Sequence, residues 1–173
     1  MTDDEIIEGC VKKKALAQKA LYDKFSKKMM GVCQRYCDSQ EEAEDVMQNG
    51  FINVFEKIDS FKASGSLEGW IRKIVVNTAL SSIRKSKKME GSVEIGSIEL
   101  TLEDYTHLGE SLGAKELLKI IHSLPTGFKT VFNLHAIEGY SHKEIGDMLG
   151  ITEGTSKSQY SRAKAYLQKV ITL

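Results

Sequence analysis

Little in this 173-residue sequence works against helices. There is one proline, Pro125, and alternating β-branched stretches are few, so no strand-rich region stands out. No N-terminal apolar stretch resembles a secretory signal, and no run approaches the ~20 apolar residues of a membrane span. A cytoplasmic location is therefore expected. Three cysteines, Cys10, Cys33 and Cys37, are too few for a disulfide framework in a chain of this size. Cys33 and Cys37 lie four apart, but no CxxC or HxxxH pair supplies further metal ligands. His107, His122, His135 and His142 are scattered, so buried thiols acting as small hydrophobes fit better than a metal site. Net charge is missing as well, since 24 Lys and Arg match 24 Asp and Glu. As an average, that balance speaks against a nucleic-acid binder. Internal repeats are absent too.

What is present is helical period. A hydrophobic content of 41% suffices for real cores in one domain or two small ones. Ala17, Ala20, Leu21, Phe25, Met29, Val32, Cys33 and Tyr36 trace a long amphipathic helix, broken at Asp38 and Ser39. Ala43, Val46, Met47, Gly50, Phe51, Val54, Phe55 and Ile58 trace a second. After a loop over 60–66, a third helix runs from about Leu67 to Lys87, with Trp70, Ile71, Ile74, Val75, Thr78 and Ala79 on one side. From Met89 to Leu112 glycine, serine and acids recur with no Lys or Arg, which reads as a linker between two domains. Helices then resume, one around Ala114–Ile121 stopped by Pro125 and one around Phe128–His135 ending near Gly139. Two more follow, at about 142–149 and 153–170.

The last pair has the punctuation of a helix-turn-helix. Ser141 is a good N-cap with Glu144 as its capping-box partner. Gly146 leaves room for a close approach, Gly150 suits a left-handed helix end, Ile151 fills the turn, and Thr152 caps the next helix. On the second helix Ser156, Tyr160, Ala163 and Leu167 form a packing side. Opposite lie Gly154, Lys157, Ser158, Ser161, Arg162 and Ala165, a basic surface of mostly short side chains suited to sinking against base edges. Residues 152–173 hold four bases against one acid, a net of +3.

Charge is segregated elsewhere too. Residues 38–56 hold Asp38, Glu41, Glu42, Glu44, Asp45 and Glu56 with no Lys or Arg. Residues 70–90 hold Arg72, Lys73, Arg84, Lys85, Lys87 and Lys88 against Glu90, six bases and one acid for a net of +5. An acidic surface suits a basic protein partner, and a basic one follows phosphates. Zero net charge thus ceases to count against DNA. Trp70, the single tryptophan, fits either a core anchor or a binding residue, and Asn77 carries an amide able to meet a base edge.

These pieces together resemble a known family. Glu44-Asp45-Val46-Met47-Gln48-Asn49-Gly50-Phe51, Ile58-Asp59-Ser60-Phe61 and the run Gly69-Trp70-Ile71-Arg72-Lys73-Ile74-Val75-Val76-Asn77 look like region 2 of extracytoplasmic-function sigma factors of the sigma-70 family. Leu124-Pro125, the stretch from Tyr140 to Gly146 and that from Gly154 to Ala163 are similar to region 4. The resemblance implies an all-α fold of two small helical domains joined by a flexible linker, region 2 over 1–88, linker 89–112 and region 4 over 113–173. It implies an alternative sigma factor that binds core RNA polymerase and directs promoter recognition and melting, with no catalysis, cofactor, metal or small-molecule substrate.

By position, Asp45, Gln48 and Asn49 would bind the polymerase clamp helices, Asn49 standing where the family usually has an acid. Phe61, Lys62, Ala63, Ser64 and Gly65 would form the pocket for a base flipped from the melted −10 element, with Trp70 beside them. Asn77 would contact that element, and Arg84 and Lys85 its phosphates. Thr155, Lys157, Ser158, Ser161 and Arg162 would read the double-stranded −35 element. Ser156 replaces a usually buried aliphatic, and Tyr160 a common Leu or Ile. An anti-sigma partner, often membrane-bound in this group, is implied as well.

Two other readings compete. A stand-alone regulator would bind palindromic DNA as a dimer without polymerase. A helical enzyme would need Cys33 or Cys37 beside a histidine and an acid, and no such set falls in a recognisable context.

Overall fold

The computed structural model describes residues 1–90 and 113–171, and every described element is helical. The chain divides into two compact units, Met1–Gly91 and Ser92–Leu173. The segment read as a linker falls mostly outside the described residues.

The first unit contains α1 (Asp3–Val11), α2 (Ala15–Tyr36), α3 (Gln40–Lys57) and α4 (Leu67–Glu90), with a 3₁₀ turn at Ile58–Ser60. The sequence reading has no counterpart of α1. It opens on a capping box in which Thr2 Oγ1 accepts from Glu5 N–H and Glu5 accepts from Thr2 N–H at 2.7 Å. Hydrogen bonding of its carboxylate to Thr2, to the backbone N–H first and the side chain second, holds Glu5 below the ordinary carboxylate range. Ile6, Gly9 and Cys10 are buried, Gly9 directly against Ala17 at the start of α2.

α2 and α3 contribute the residues expected of them, Leu21, Phe25, Met29, Val32, Cys33 and Tyr36 from one and Ala43, Val46, Phe51 and Val54 from the other. Gly50 brings α3 close to α4, because a Cβ there would lie 3.2 Å from Val75 Cγ2. α4 is buried over a wider arc than one side of a wheel. Leu67, Ile71, Val75 and Ala79 are joined by Val76, Leu80 and Ile83. Trp70, Ile74 and Thr78, expected on the packing side, are only half-buried. α4 also continues through Glu90, past Met89 where the linker texture begins. Lys87, Lys88, Met89 and Glu90 are good helix formers, and Gly91 is the first residue that disfavours continuation.

The second unit holds α5 (Ala114–Ser123), α6 (Thr126–Phe132) continuing into a π-turn (Asn133–Ile137), α7 (His142–Leu149) and α8 (Glu153–Ile171). Pro125 separates α5 from α6, with Leu124 held extended before it as proline requires. Ile120, Leu124, Ala163, Leu167 and Val170 form a core flanked by Phe128, Phe132 and Tyr166.

Truncating a fully buried side chain on the unexpected arc of α4 gives a direct check. Leu80→Ala should destabilise the first unit by about 2–5 kcal/mol through lost burial and a residual cavity. Exposed Ser81→Ala should stay within about 0.5 kcal/mol. Urea unfolding followed by Trp70 fluorescence reports on this unit alone, and equal midpoints for the two variants would contradict the packing described.

Candidate nucleic-acid interface

The helix-turn-helix is assembled by the groups the sequence proposes for it. Ser141 N–H donates to Glu144 at 2.8 Å while Glu144 N–H donates to Ser141 Oγ at 3.1 Å. Gly150 takes φ 68°, the left-handed conformation that ends α7 without a Cβ penalty. Gly146 lies against the turn itself, not against a crossing helix. A Cβ there would sit 2.7 Å from the Ile151 carbonyl oxygen. Thr152 Oγ1 then accepts from Thr155 N–H at 3.0 Å and caps α8.

On α8 the residues Thr155, Lys157, Ser158, Ser161 and Arg162 are all exposed on one strip. They differ in how free they are. Thr155 shares its hydroxyl with Thr152 at 2.8 Å, and Lys157 pairs with Glu153 at 3.4 Å. Lys164, two turns beyond Lys157 at the strip's edge, sits 5.2 Å from the Tyr160 ring centre. Arg162 has no partner among the described residues. Its guanidinium, a planar fork of donors, is thus the group on the strip most ready for a base edge or a phosphate.

Behind the strip, the two departures from the family pattern meet in one layer. Ser156 is fully buried, and its Oγ lies 2.8 Å from His142 Nδ1 in a hydrogen bond. Tyr160 meets His135 edge-on at 4.6 Å and stacks on Phe132 at 6.1 Å. His135 and His142, read from the sequence as scattered, stack at 4.1 Å. The signal for this cluster was a serine and a tyrosine where aliphatic residues are usual, with histidines seven apart across a helix break.

In the first unit the loop 60–66 and the start of α4 enclose an open pocket of about 490 Å³. Phe61 and Trp70 form its aromatic wall with ring centres 5.4 Å apart, and Lys62 and Lys73 lie at its margin. Ser64 and Gly65 line it, whereas Ala63 is exposed and outside the lining. Ser66 Oγ accepts from Gly69 N–H at 3.0 Å and fixes the start of α4 beneath the loop. Trp70 is half-buried, serving both packing and the pocket.

Asn77 and Lys85 line a second groove of about 630 Å³ between α3 and α4. Asn49, expected with Asp45 and Gln48, lies in this groove too. Asn53, which the sequence did not single out, donates to Thr78 Oγ1 across it at 3.1 Å. Gln48 faces a different, largely apolar groove of about 610 Å³ between α2 and α3, lined by Tyr22, Met30, Phe51, Ile52 and Phe55. Asp45 and Glu41 are exposed on α3 outside both linings, and Glu44, also exposed, lines the apolar groove. Arg84 is exposed on α4 and outside the groove lining. Ile52, 49% exposed, was missed, although an apolar residue off the buried stripe was its signal.

Cys10, Cys33 and Cys37 are free and buried, and burial pushes the Cys33 thiol up to about 12. It is therefore protonated at neutral pH and a poor nucleophile. Among the described residues no three or more His, Cys, Asp or Glu gather as metal ligands, and no helix is long and apolar enough to cross a membrane.

Comparison with known proteins matches residues 21–89 to Sigma-70 region 2 and residues 114–167 to Sigma-70, region 4. The chain is 27% identical to the ECF RNA polymerase sigma-E factor of Haemophilus influenzae, over 99% of this chain and 96% of that one. It is 28% identical to the ECF RNA polymerase sigma factor SigW of Bacillus subtilis, over 86% of each chain. Among solved structures, the sigma factor RpoE from Bartonella quintana, in complex with the anti-sigma factor NepR, has a similar fold. That match has a TM-score of 0.57 and 22% identity, covering 90% of this chain and 96% of that one. CnrH, in complex with the cytosolic domain of CnrY, aligns with a TM-score of 0.53 and 17% identity over 98% and 97%. With regions 2 and 4 in order over capped helices and segregated charge, the chain belongs to the extracytoplasmic-function group of the sigma-70 family and is an alternative sigma factor that directs transcription initiation.

Proposed function

We propose that promoter reading is divided between the two units, region 2 over 1–88 and region 4 over 113–173, with 89–112 as the connection. The observation that carries this reading is the exposed α8 strip, where Lys157, Ser158, Ser161 and Arg162 stand on a capped helix-turn-helix. Short side chains let the helix enter a major groove, and Arg162 supplies bidentate hydrogen bonding to a guanine. Thr155 acts mainly as part of the cap.

In region 2, Phe61 and Trp70 stack on a base extruded from the melted −10 element while Lys62 holds its phosphate. Extrusion costs a few kcal/mol, and aromatic stacking returns about 1–3 kcal/mol per base. Ser64 and Gly65 keep the loop small enough to close over the base. Asn77, Arg84 and Lys85 carry the strand onward along α4. Core polymerase docks on the apolar α2/α3 groove, with Gln48 and Ile52 at its centre and Asp45 as the acidic margin that a basic partner meets. Asn49, uncharged and turned to the polar groove, contributes less to that docking than an acid would. An anti-sigma factor would compete for the same docking surfaces, as suits a relative crystallised with one. The chain performs no chemistry of its own and works in the cytoplasm.

Holoenzyme reconstituted from core polymerase and the full chain tests the division. Arg162→Ala should weaken binding to promoter DNA by about 1–3 kcal/mol in competition with a scrambled −35 sequence. Trp70→Ala should weaken binding to forked −10 DNA by a similar amount and leave −35 discrimination intact. A uniform loss on every DNA for Arg162→Ala, or no loss on forked DNA for a folded Trp70→Ala chain, would contradict it.

A further inference from the structure

The imidazole stack behind α8 plays no part in the contacts proposed for DNA, yet it ties three elements together. His135 comes from the π-turn, and its Nδ1 lies 2.8 Å from the Tyr140 carbonyl oxygen. His142 opens α7, and its Nδ1 bonds to buried Ser156 of α8. Tyr160 of α8 lies against both rings, at 4.6 and 5.6 Å. A π-turn adds a residue to the helical repeat and thereby changes the direction of the side chains that follow. Here it coincides with the residue that stacks on His142. Two stacked rings at 4.1 Å resist carrying two positive charges at once.

We infer that the His135–His142–Ser156 layer is a proton-sensitive brace that positions α8, so that −35 recognition weakens on acidification while −10 recognition does not. The inference rests on the reading of α8 as the −35 helix. His142 is a positioning residue in it, since it lies behind the exposed strip.

The charges around His142 set the sign. From α8 it is faced by Lys157 and Glu153, with Tyr160 against its ring and Lys164 over that tyrosine; from the π-turn it is faced by His135. Its own helix carries Lys143, with Glu144 engaged in the capping box. Burial first, then His135 and Lys157, hold His142 below the ordinary imidazole value of 6.5, with Glu153 opposing. The braced state therefore prefers the neutral ring. Its stability is fully present above 6.5 and is lost as pH falls from that value toward the depressed one.

The test uses holoenzyme made from the full chain and two forked promoter DNAs, one intact and one with a scrambled −35 element. The affinity ratio of the two isolates the −35 contribution and cancels changes in polymerase. Between pH 7.5 and 5.5 the ratio should fall, chiefly below 6.5 and by no more than about tenfold per pH unit, the limit for one linked proton. With His142→Gln, which keeps a hydrogen-bonding side chain without a titrating ring, it should change little with pH. The same steep fall in wild type and variant, or no fall in wild type, would overturn the brace. A ratio of one at every pH would overturn the −35 assignment itself. A second readout does not depend on the variant folding. In an NMR titration of the free chain, the His142 ring should titrate below the ordinary imidazole range, and Tyr160 ring signals should move with the same midpoint. An ordinary midpoint, or Tyr160 signals that ignore it, would contradict the proposal.

Discussion

A helix that reads DNA must leave one face, mostly of short side chains, to the DNA, and that same face can then do nothing to hold the helix in place. The opposite face has to supply all of its anchorage. In α8 this demand is met by Ser156, Ala163, Leu167 and Val170, all buried, with the aromatic layer of Tyr160 and its neighbours at the N-terminal end. Small residues at 156 and 163 let α8 lie close to α7 and α6. The buried Ser156 hydroxyl would be expensive without a partner, and His142 provides one. The structure thus trades an apolar contact for a directional one.

The same separation of duties explains the electrical layout. Acids on the outer part of α3 and bases on α4 lie on neighbouring helices of one unit, so charges that cancel in the sum remain apart in space. Long-range attraction between exposed charges is damped by salt within about 10 Å, which lets each face act on its own partner. α3 borders two grooves of different character, an apolar one toward α2 beside Gln48 and one toward α4 lined by amides and hydroxyls beside Asn77. Ile52 lines both, and Asn49 lines only the polar one. An acid there would carry negative charge into the polar groove, and an amide does not.

Much of this was legible in the sequence. Period alone located α2 and α3, and cap chemistry placed the helix-turn-helix to the residue, because Ser141, Gly150 and Thr152 each act through bonds to their own neighbours. What escaped was either short or depended on distant residues. α1 is a nine-residue helix with only a few apolar side chains, although Thr2 and Glu5 carried its capping signal. The wide burial of α4 follows from its position among α2, α3 and the loop, which no wheel reports. The His135–His142 stack requires a π-turn that turns one ring toward the other, and local sequence gives no rule for that. Asn49 was grouped with Asp45 and Gln48 by family resemblance, which carries no orientation; neighbouring helical residues point about 100° apart, and Gln48 and Asn49 line different grooves.

The most direct measurement of the central claim is run-off transcription on genomic DNA with core polymerase, with and without the full chain. The account predicts transcripts from defined start sites that appear only when chain and core enzyme are combined, with little DNA binding by the chain alone. Failure to bind core polymerase at micromolar concentration, or tight binding to palindromic DNA in its absence, would contradict it.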